Sequence, residues 1–286
     1  MKGGSQPHGY TIVEVMLFLT ISGIMFIVAF GFVGSKQQKS QFRQGMFAID
    51  SQIKTVINDV ANGYYASTDN ISCTGGGTGI APSISSGPSG SKTQGTNKGC
   101  VFLGKVIQFS VQGTNNNGYN LFTVAGNQYV SNASDKVLAT NFAQAKPIAL
   151  PQSAGATDIK TLEWGIVVSH ISDKSNPAGS GCFNGAGLST QPAAFGFFGG
   201  FGNYGGAPSE SGAQSVVVAC VPASQPNDSL NQTETHISNI ADSDVLASPQ
   251  IVICFQGAQD QKGSLTIGGN NGQALTTSIK FGDPLC

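Results

Sequence analysis

GYTIVEVMLFLTISGIMFIVAFGFV, Gly9–Val33, is a nearly continuous apolar run that carries a single charge, Glu14. At about 1.5 Å of rise per residue, a helix of this length covers the roughly 30 Å of hydrocarbon in a bilayer. The run therefore predicts a membrane-spanning helix over residues 10–34, and the other segments are read outward from it. Glu14 is the anomaly. A carboxylate near the end of a span costs about 2 to 3 kcal/mol unless something neutralises it, so an acid at membrane depth points to function.

Three ordinary readings of the run fall short. A secretory signal peptide has an apolar core of about 7 to 15 residues followed by a small-residue cleavage site, whereas this run is longer and passes into a helical pattern. A plain signal anchor accounts for length and hydrophobicity but gives Glu14 no role. A lipoprotein needs a cysteine at the cleavage point, and none precedes Cys73.

On the C-terminal side, residues 35–62 change from all-round apolar to amphipathic. Phe42, Met46, Ile49, Ile53, Val56, Ile57 and Val60 recur at spacings of three and four, one face of a helix, with Gln38, Lys39, Arg43, Gln44, Asp50, Lys54 and Asp59 mainly between them. Asn62 and Gly63 supply a stop signal. The two segments predict one continuous helix, about 80 Å long, whose outer half packs on a globular head.

On the N-terminal side stands a short polar leader ending in glycine, MKGGSQPHG, followed by the aromatic Tyr10 and by Glu14 as the fifth residue after that glycine. This arrangement resembles the processing signal of type IV prepilins and pseudopilins. The resemblance is confined to the leader and the helix, about a fifth of the chain, and is specific because glycine, acid and apolar run must coincide. The family most often has Phe where this chain has Tyr10; tyrosine keeps the ring. The resemblance implies cleavage by a prepilin peptidase between Gly9 and Tyr10, methylation of the new amine, and pairing of Glu14 with the N-terminal amine of a neighbouring subunit during filament assembly. The partners it implies are other pilin subunits through the N-terminal helix, the prepilin peptidase, an inner-membrane assembly platform and the membrane itself. It also implies a single-pass inner-membrane protein with the leader inside, which becomes part of an extracellular filament. Charge alone does not fix that orientation, because Lys2 lies on one side of the span and Lys36, Lys39 and Arg43 on the other.

The remainder, residues 63–286, reads as a β-rich extracytoplasmic head. Charged residues make up 10% of the chain and the net charge is -1, which leaves no basic footprint for nucleic acid. Cys73, Cys100, Cys182, Cys220, Cys254 and Cys286 all follow the span, and suggest disulfides in an oxidising compartment; CxxC spacing and histidine partners for a metal are lacking. Local loop closure suggests Cys73 with Cys100, Cys182 with Cys220 and Cys254 with Cys286, with Cys220 to Cys254 as the main rival. The Gly-, Ser- and Thr-rich stretch 64–99 reads as a long surface loop, and its GGGTG is no phosphate loop, since no strand precedes it and no Lys-Ser/Thr follows.

From Cys100 the period becomes two. Val101, Leu103, Ile107, Phe109 and Val111 are expected on one face, with Gly104, Val106, Gln108 and Ser110 on the other, and TNNNG then leads into a second strand from Tyr119. Residues 159–169, IKTLEWGIVVS, form a further β set in which Trp164 is expected to fill the core, with Glu163 and His170 at a strand edge. In Pro192–Pro208, residues Phe195, Phe197, Phe198, Phe201 and Tyr204 sit among glycines. That stretch is either a buried Gly-rich strand or an exposed aromatic surface. Residues 214–222 and 250–257 are buried-strand runs, and 223–248 is a polar connection in which Asp242 and Asp244 lack the alternating ligands of a calcium loop. Two strands joined by GGNNGQ end the chain at Cys286, read as a pin for the tail.

The fold class expected is α+β: a long N-terminal helix, membrane-spanning in its first half, packed on an antiparallel sheet with long Gly-rich loops. No Ser/His/Asp or Cys/His constellation is visible, so no enzyme, catalytic residue, cofactor or metal is expected. The resemblance implies a structural subunit, a minor pilin by its size, because the family's bulk subunits are commonly smaller. A pseudopilin of a type II secretion system, or a tip-located adhesin or DNA-uptake module, is the alternative.

Overall fold

The computed structural model describes residues 10–63, 100–109, 117–132, 135–150, 157–173, 194–199, 216–222, 224, 228–246, 250–269, 274–284 and 286. The leader with Gly9, the stretch 64–99 with Cys73, and Cys182, Phe201 and Tyr204 lie outside the described residues.

Helix α1 runs Ile12–Ala61, 50 residues. No proline interrupts it. Asn62 N–H donates to Asn58 O at 3.0 Å, and Gly63, at φ 63°, turns the chain away. In the second half the stripe Phe42, Met46, Ile49, Ile53, Val56, Ile57 and Val60 is buried throughout.

The strands are β1 (Cys100–Phe109), β2 (Gly118–Asn127), β3 (Tyr129–Asn132), β4 (Asp135–Leu138), β5 (Ile148–Ala149), β6 (Thr157–Thr161), β7 (Val167–Asp173), β8 (Ala194–Phe198), β9 (Val217–Cys220), β10 (Val245–Leu246), β11 (Gln250–Gln256), β12 (Lys262–Gly268) and β13 (Thr276–Phe281). Two short helices join them, α2 (Phe142–Ala145) and α3 (Leu230–Ile237). The strands form separate antiparallel sheets rather than the single sheet expected. A seven-stranded sheet has the order β10-β9-β8-β1-β2, with β5 and β6 both pairing along the outer edge of β2. A four-stranded sheet has the order β13-β12-β11-β7, and β3 and β4 pair with each other.

The stripe of α1 closes one core against both larger sheets. Ile107, Phe109, Phe195, Phe197 and Val218 come from the seven-stranded sheet, and Ile171, Ile251, Ile253, Phe255 and Leu265 from the four-stranded one. A second core lies on the other face of the seven-stranded sheet, where Leu103, Val106, Phe122 and Phe198 meet Phe142 of α2 and Ile237 of α3. The large sheet is thus buried on both faces, which explains why the segment that holds β9 reads as an apolar run rather than as clean alternation.

Three expectations for the strands and their connections need correcting. In β1 the register shifts between Phe102 and Gly104, so Leu103 has no partner residue on β2 and the faces exchange there. Leu103 consequently faces the second core while Ile107 and Phe109 face the first, and Val106, expected outside, is fully buried. Gly104 sits at that bulge because a Cβ there would lie 2.0 Å from Phe197 O.

Residues 159–169 are not one strand. A 3-10 turn at Glu163–Gly165, with Trp164 at φ 61°, carries the chain from β6 in one sheet to β7 in the other. Trp164 is not core: it is 50% exposed.

The third correction concerns residues 223–248, which hold α3 and β10 rather than a plain connection. Ser229 and Gln232 form a capping box in which Gln232 N–H donates to Ser229 Oγ and Ser229 N–H donates to Gln232 Oε1. The expected bond at Cys286 is present, and the rival pairing of Cys220 with Cys254 is not formed. Cys254 is bonded to Cys286 across a Cα–Cα distance of 5.4 Å, joining the chain's end to the central strand β11. Cys100 and Cys220 are each disulfide-bonded as well.

Of the aromatic stretch, the part within the described residues is buried: Phe195, Phe197 and Phe198 are fully enclosed in β8, between β1 and β9.

Candidate functional site

The first half of α1 begins at a well-formed cap. Thr11 is extended, its Oγ1 accepts from Glu14 N–H at 3.3 Å, and its carbonyl accepts from Val15 N–H at 3.2 Å. Glu14 therefore lies in the first helical turn, where the helix dipole favours an acid. Among the described residues nothing pairs with its carboxylate. Tyr10, just before the cap, is 83% exposed.

Beyond the cap no side chain of Ile12–Ala29 is buried, and this window has a mean hydropathy of 2.4. Ile12, Val13, Met16, Leu17, Phe18 and Leu19 project on all sides of the helix. Thr20, the polar residue in mid-run, returns its hydroxyl to Leu17 O at 2.9 Å, which satisfies it within the helix. Covering a large apolar side chain is worth about 1.5 to 3 kcal/mol, so in water this helix forgoes on the order of tens of kcal/mol. Monomers in water rarely leave so large an apolar surface open. The helix is long and apolar enough to cross a membrane.

Set against protein-family models, curated proteins and solved structures, the chain matches none. The site is therefore read from its own chemistry.

Where α1 meets the head, several contacts fix its direction. Arg43 stacks over the Phe281 ring with its guanidinium carbon 5.3 Å from the centroid, and Phe42 and Phe47 meet the same ring edge-on at 6.4 and 6.0 Å. Asp50 accepts from Lys54 Nζ at 2.7 Å and from the Thr277 hydroxyl of β13. Nearer the end of the helix, Asp59 holds Lys105 Nζ of β1. Lys105 is 7% exposed and points at α1 from among apolar neighbours, so its ammonium has been taken out of water. A cleft of about 770 Å³ opens at the same junction, with Lys36, Lys39, Arg43 and Lys262 in its walls and Phe42 and Phe281 beneath.

The remaining titratable groups are scattered over the head. His170 lies on the edge strand β7 opposite Cys254, and burial lowers its pKa by penalising the charged ring. Burial raises the pKa of Glu234 for the same reason. His236 Nε2 is 3.5 Å from Asp228 Oδ2. Asp244 is engaged locally, accepting from Ala241 N–H at 2.8 Å, while Asp242 accepts from Phe142 N–H of α2 at 2.9 Å across 100 positions. Among the described residues no three of His, Cys, Asp and Glu gather into a metal-binding group.

Sequence reasoning singled out Tyr10 and Glu14, and the structure sets both at the free end of α1. It did not find Lys105, Lys262 or Phe281. The signal for Lys105 was present, since it is a lysine at an inward position of an otherwise apolar strand. Lys262 and Phe281 gave no local signal, because they become relevant only through α1.

Proposed function

We propose that this protein is a pilin-like structural subunit, processed at Gly9–Tyr10 by a prepilin peptidase, held in the inner membrane by residues 10–34 and drawn into a filament through that helix. The single observation that carries the reading is the contrast within α1: its first half exposes apolar side chains all round, while its second half is docked along one stripe. A surface of that kind serves first as a membrane span and then, among other copies, as the packed centre of a filament. The acid-bearing first turn supports the same reading, because a carboxylate in an apolar surround calls for a cation, and the amine of a neighbouring mature subunit lies at the same depth. A slip of one turn would separate the two charges by about 5.4 Å, so the pair selects register.

The reading is of a minor pilin; a secretion pseudopilin would use the same helix in a different machine. A tip-located binding module draws less support, since Phe195, Phe197 and Phe198, its aromatic candidates among the described residues, are buried.

The test is Glu14→Ala, followed in the membrane fraction and in sheared filaments. Membrane insertion and removal of MKGGSQPHG should persist while the filament fraction falls strongly; wild-type filament content would refute the pairing. Gly9→Val should leave the leader attached, and N-terminal sequencing of surface material that begins at Met1 in the wild type would refute the processing.

A further inference from the structure

The cleft at the junction of α1 and the head is the candidate that carries furthest, and it rests on the reading of residues 10–34 as a membrane span. Its walls bring together Lys36, Lys39 and Arg43 from α1 and Lys262 from β12, over a floor that includes Phe42 and Phe281. From Glu14 to Asp50 the chain has no acid, and its charges are those three cations. Two carboxylates also line the cleft. Asp283 is already engaged, accepting from Ser264 Oγ at 2.6 Å and from Lys280 Nζ at 3.3 Å, which leaves Asp260 as the one exposed acid to set against four exposed cations. Arg43 is held in place by its stacking on Phe281.

Depth identifies the occupant. If the apolar run ends at Val33, Lys36 follows by about 4 Å and Lys39 by about 9 Å along the helix. The headgroup layer on each side of a bilayer is about 5 to 8 Å thick, so Lys36 lies within it and the ammonium of Lys39 reaches back to it. Arg43 follows Val33 by about 15 Å along the helix, and Lys262 and the hydroxyl-bearing Ser40 line the same cleft. A cationic cleft at this level matches a phosphate-bearing headgroup whose acyl chains remain in the bilayer beside α1.

We infer that this cleft binds the headgroup of an anionic phospholipid, and so fixes the height and tilt of the head on the membrane before the subunit leaves it.

The experiment uses the full chain in mild detergent, with phosphatidylglycerol and phosphatidylcholine added in equal amounts and the bound lipid counted by native mass spectrometry. Each cation near an anionic surface contributes about fivefold in affinity, so Lys36→Gln with Lys39→Gln should lower phosphatidylglycerol retention about 25-fold. Lys262→Gln alone should lower it about fivefold, and Lys36→Arg with Lys39→Arg should keep it. Lys54→Gln with Lys160→Gln removes the same charge elsewhere and should change little. Equal retention of the two lipids by the wild type, or a preference that survives loss of Lys36, Lys39 and Lys262, overturns the inference. Flotation on vesicles of phosphatidylcholine alone reports the span separately. A chain that floats there but shows no anionic preference refutes the cleft and leaves the span standing, whereas a chain that does not float refutes both.

Discussion

Removing the carboxylate of Asp59 tests how the helix is pinned to the head. Lys105 Nζ and Asp59 form an ion pair whose side chains are 9% and 24% exposed. Asp59→Ala leaves the ammonium of Lys105 enclosed beside Ile107 and Phe197 without its counter-charge. Breaking a buried pair in this way costs about 3 to 5 kcal/mol, and the quarter of Asp59 still open to water lowers the expectation here to about 2 to 3 kcal/mol. Exchanging both partners, Asp59→Ala with Lys105→Met, removes the desolvated charge along with its partner and should return stability to within about 1 kcal/mol of wild type. With Lys105→Met alone not stabilising, the coupling between the two substitutions should then be at least about 1 kcal/mol. Urea denaturation of the full chain in detergent, followed by tryptophan fluorescence, measures all four corners of the cycle; Trp164 is the only tryptophan and lies beside α1 at Gly45. If Asp59→Ala alone is as stable as the double variant, Lys105 is not desolvated and the reasoning is wrong.

Three further outcomes follow from the packing. Cys254→Ser should destabilise the head by about 3 to 4 kcal/mol on the chain-entropy account, because the bond closes a sequence separation of 32 residues, and protease should then clip the tail beyond Phe281 first; an unchanged digestion pattern would contradict this. Phe198→Ala, in the second core against Phe142 at 5.0 Å, should cost about 3 to 5 kcal/mol by leaving a cavity, read as a lowered denaturation midpoint. Stability should also vary with pH. The folded pKa of His170 lies below its unfolded value of 6.5, so its contribution is present above 6.5 and is lost as pH falls from there toward the folded value. Glu234 acts in the opposite sense, with its contribution present below 4.5 and lost as pH rises through its raised folded value. His170→Asn should flatten the first window in a series of denaturation midpoints and leave the second in place.

Several features were legible because they are written in chain order. An apolar run with one acid, followed by residues at spacings of three and four, needs only the local geometry of a helix to be read, and the seven stripe residues from Phe42 to Val60 are buried together. Period and length likewise gave the strands at 214–222, 250–257 and the C-terminal pair. Glu14 could be singled out as the single charge in the apolar run, whereas Tyr10 was singled out only through the resemblance of the leader.

What the tertiary structure decided lies between residues far apart in the chain. Alternation predicts faces only while the register is regular, and the bulge at Leu103 is set by the approach of β8 to Gly104, which no window around Leu103 contains. Trp164 is exposed because its turn carries the chain from one sheet to the other; its size and apolarity argued for the core, but the crossing point lies at the surface. Lys105 finds Asp59 across 46 positions, and Thr277 finds Asp50 across 227. The cationic cleft is of the same kind, since Lys36, Lys39 and Arg43 are adjacent in sequence while Lys262 and Phe281 join them only when β12 and β13 fold against α1. Sequence alone determined which segments must leave water, because hydrophobicity and helical period are properties of neighbours. Which surfaces meet was settled by packing two sheets against one helix, a condition that involves the whole chain at once.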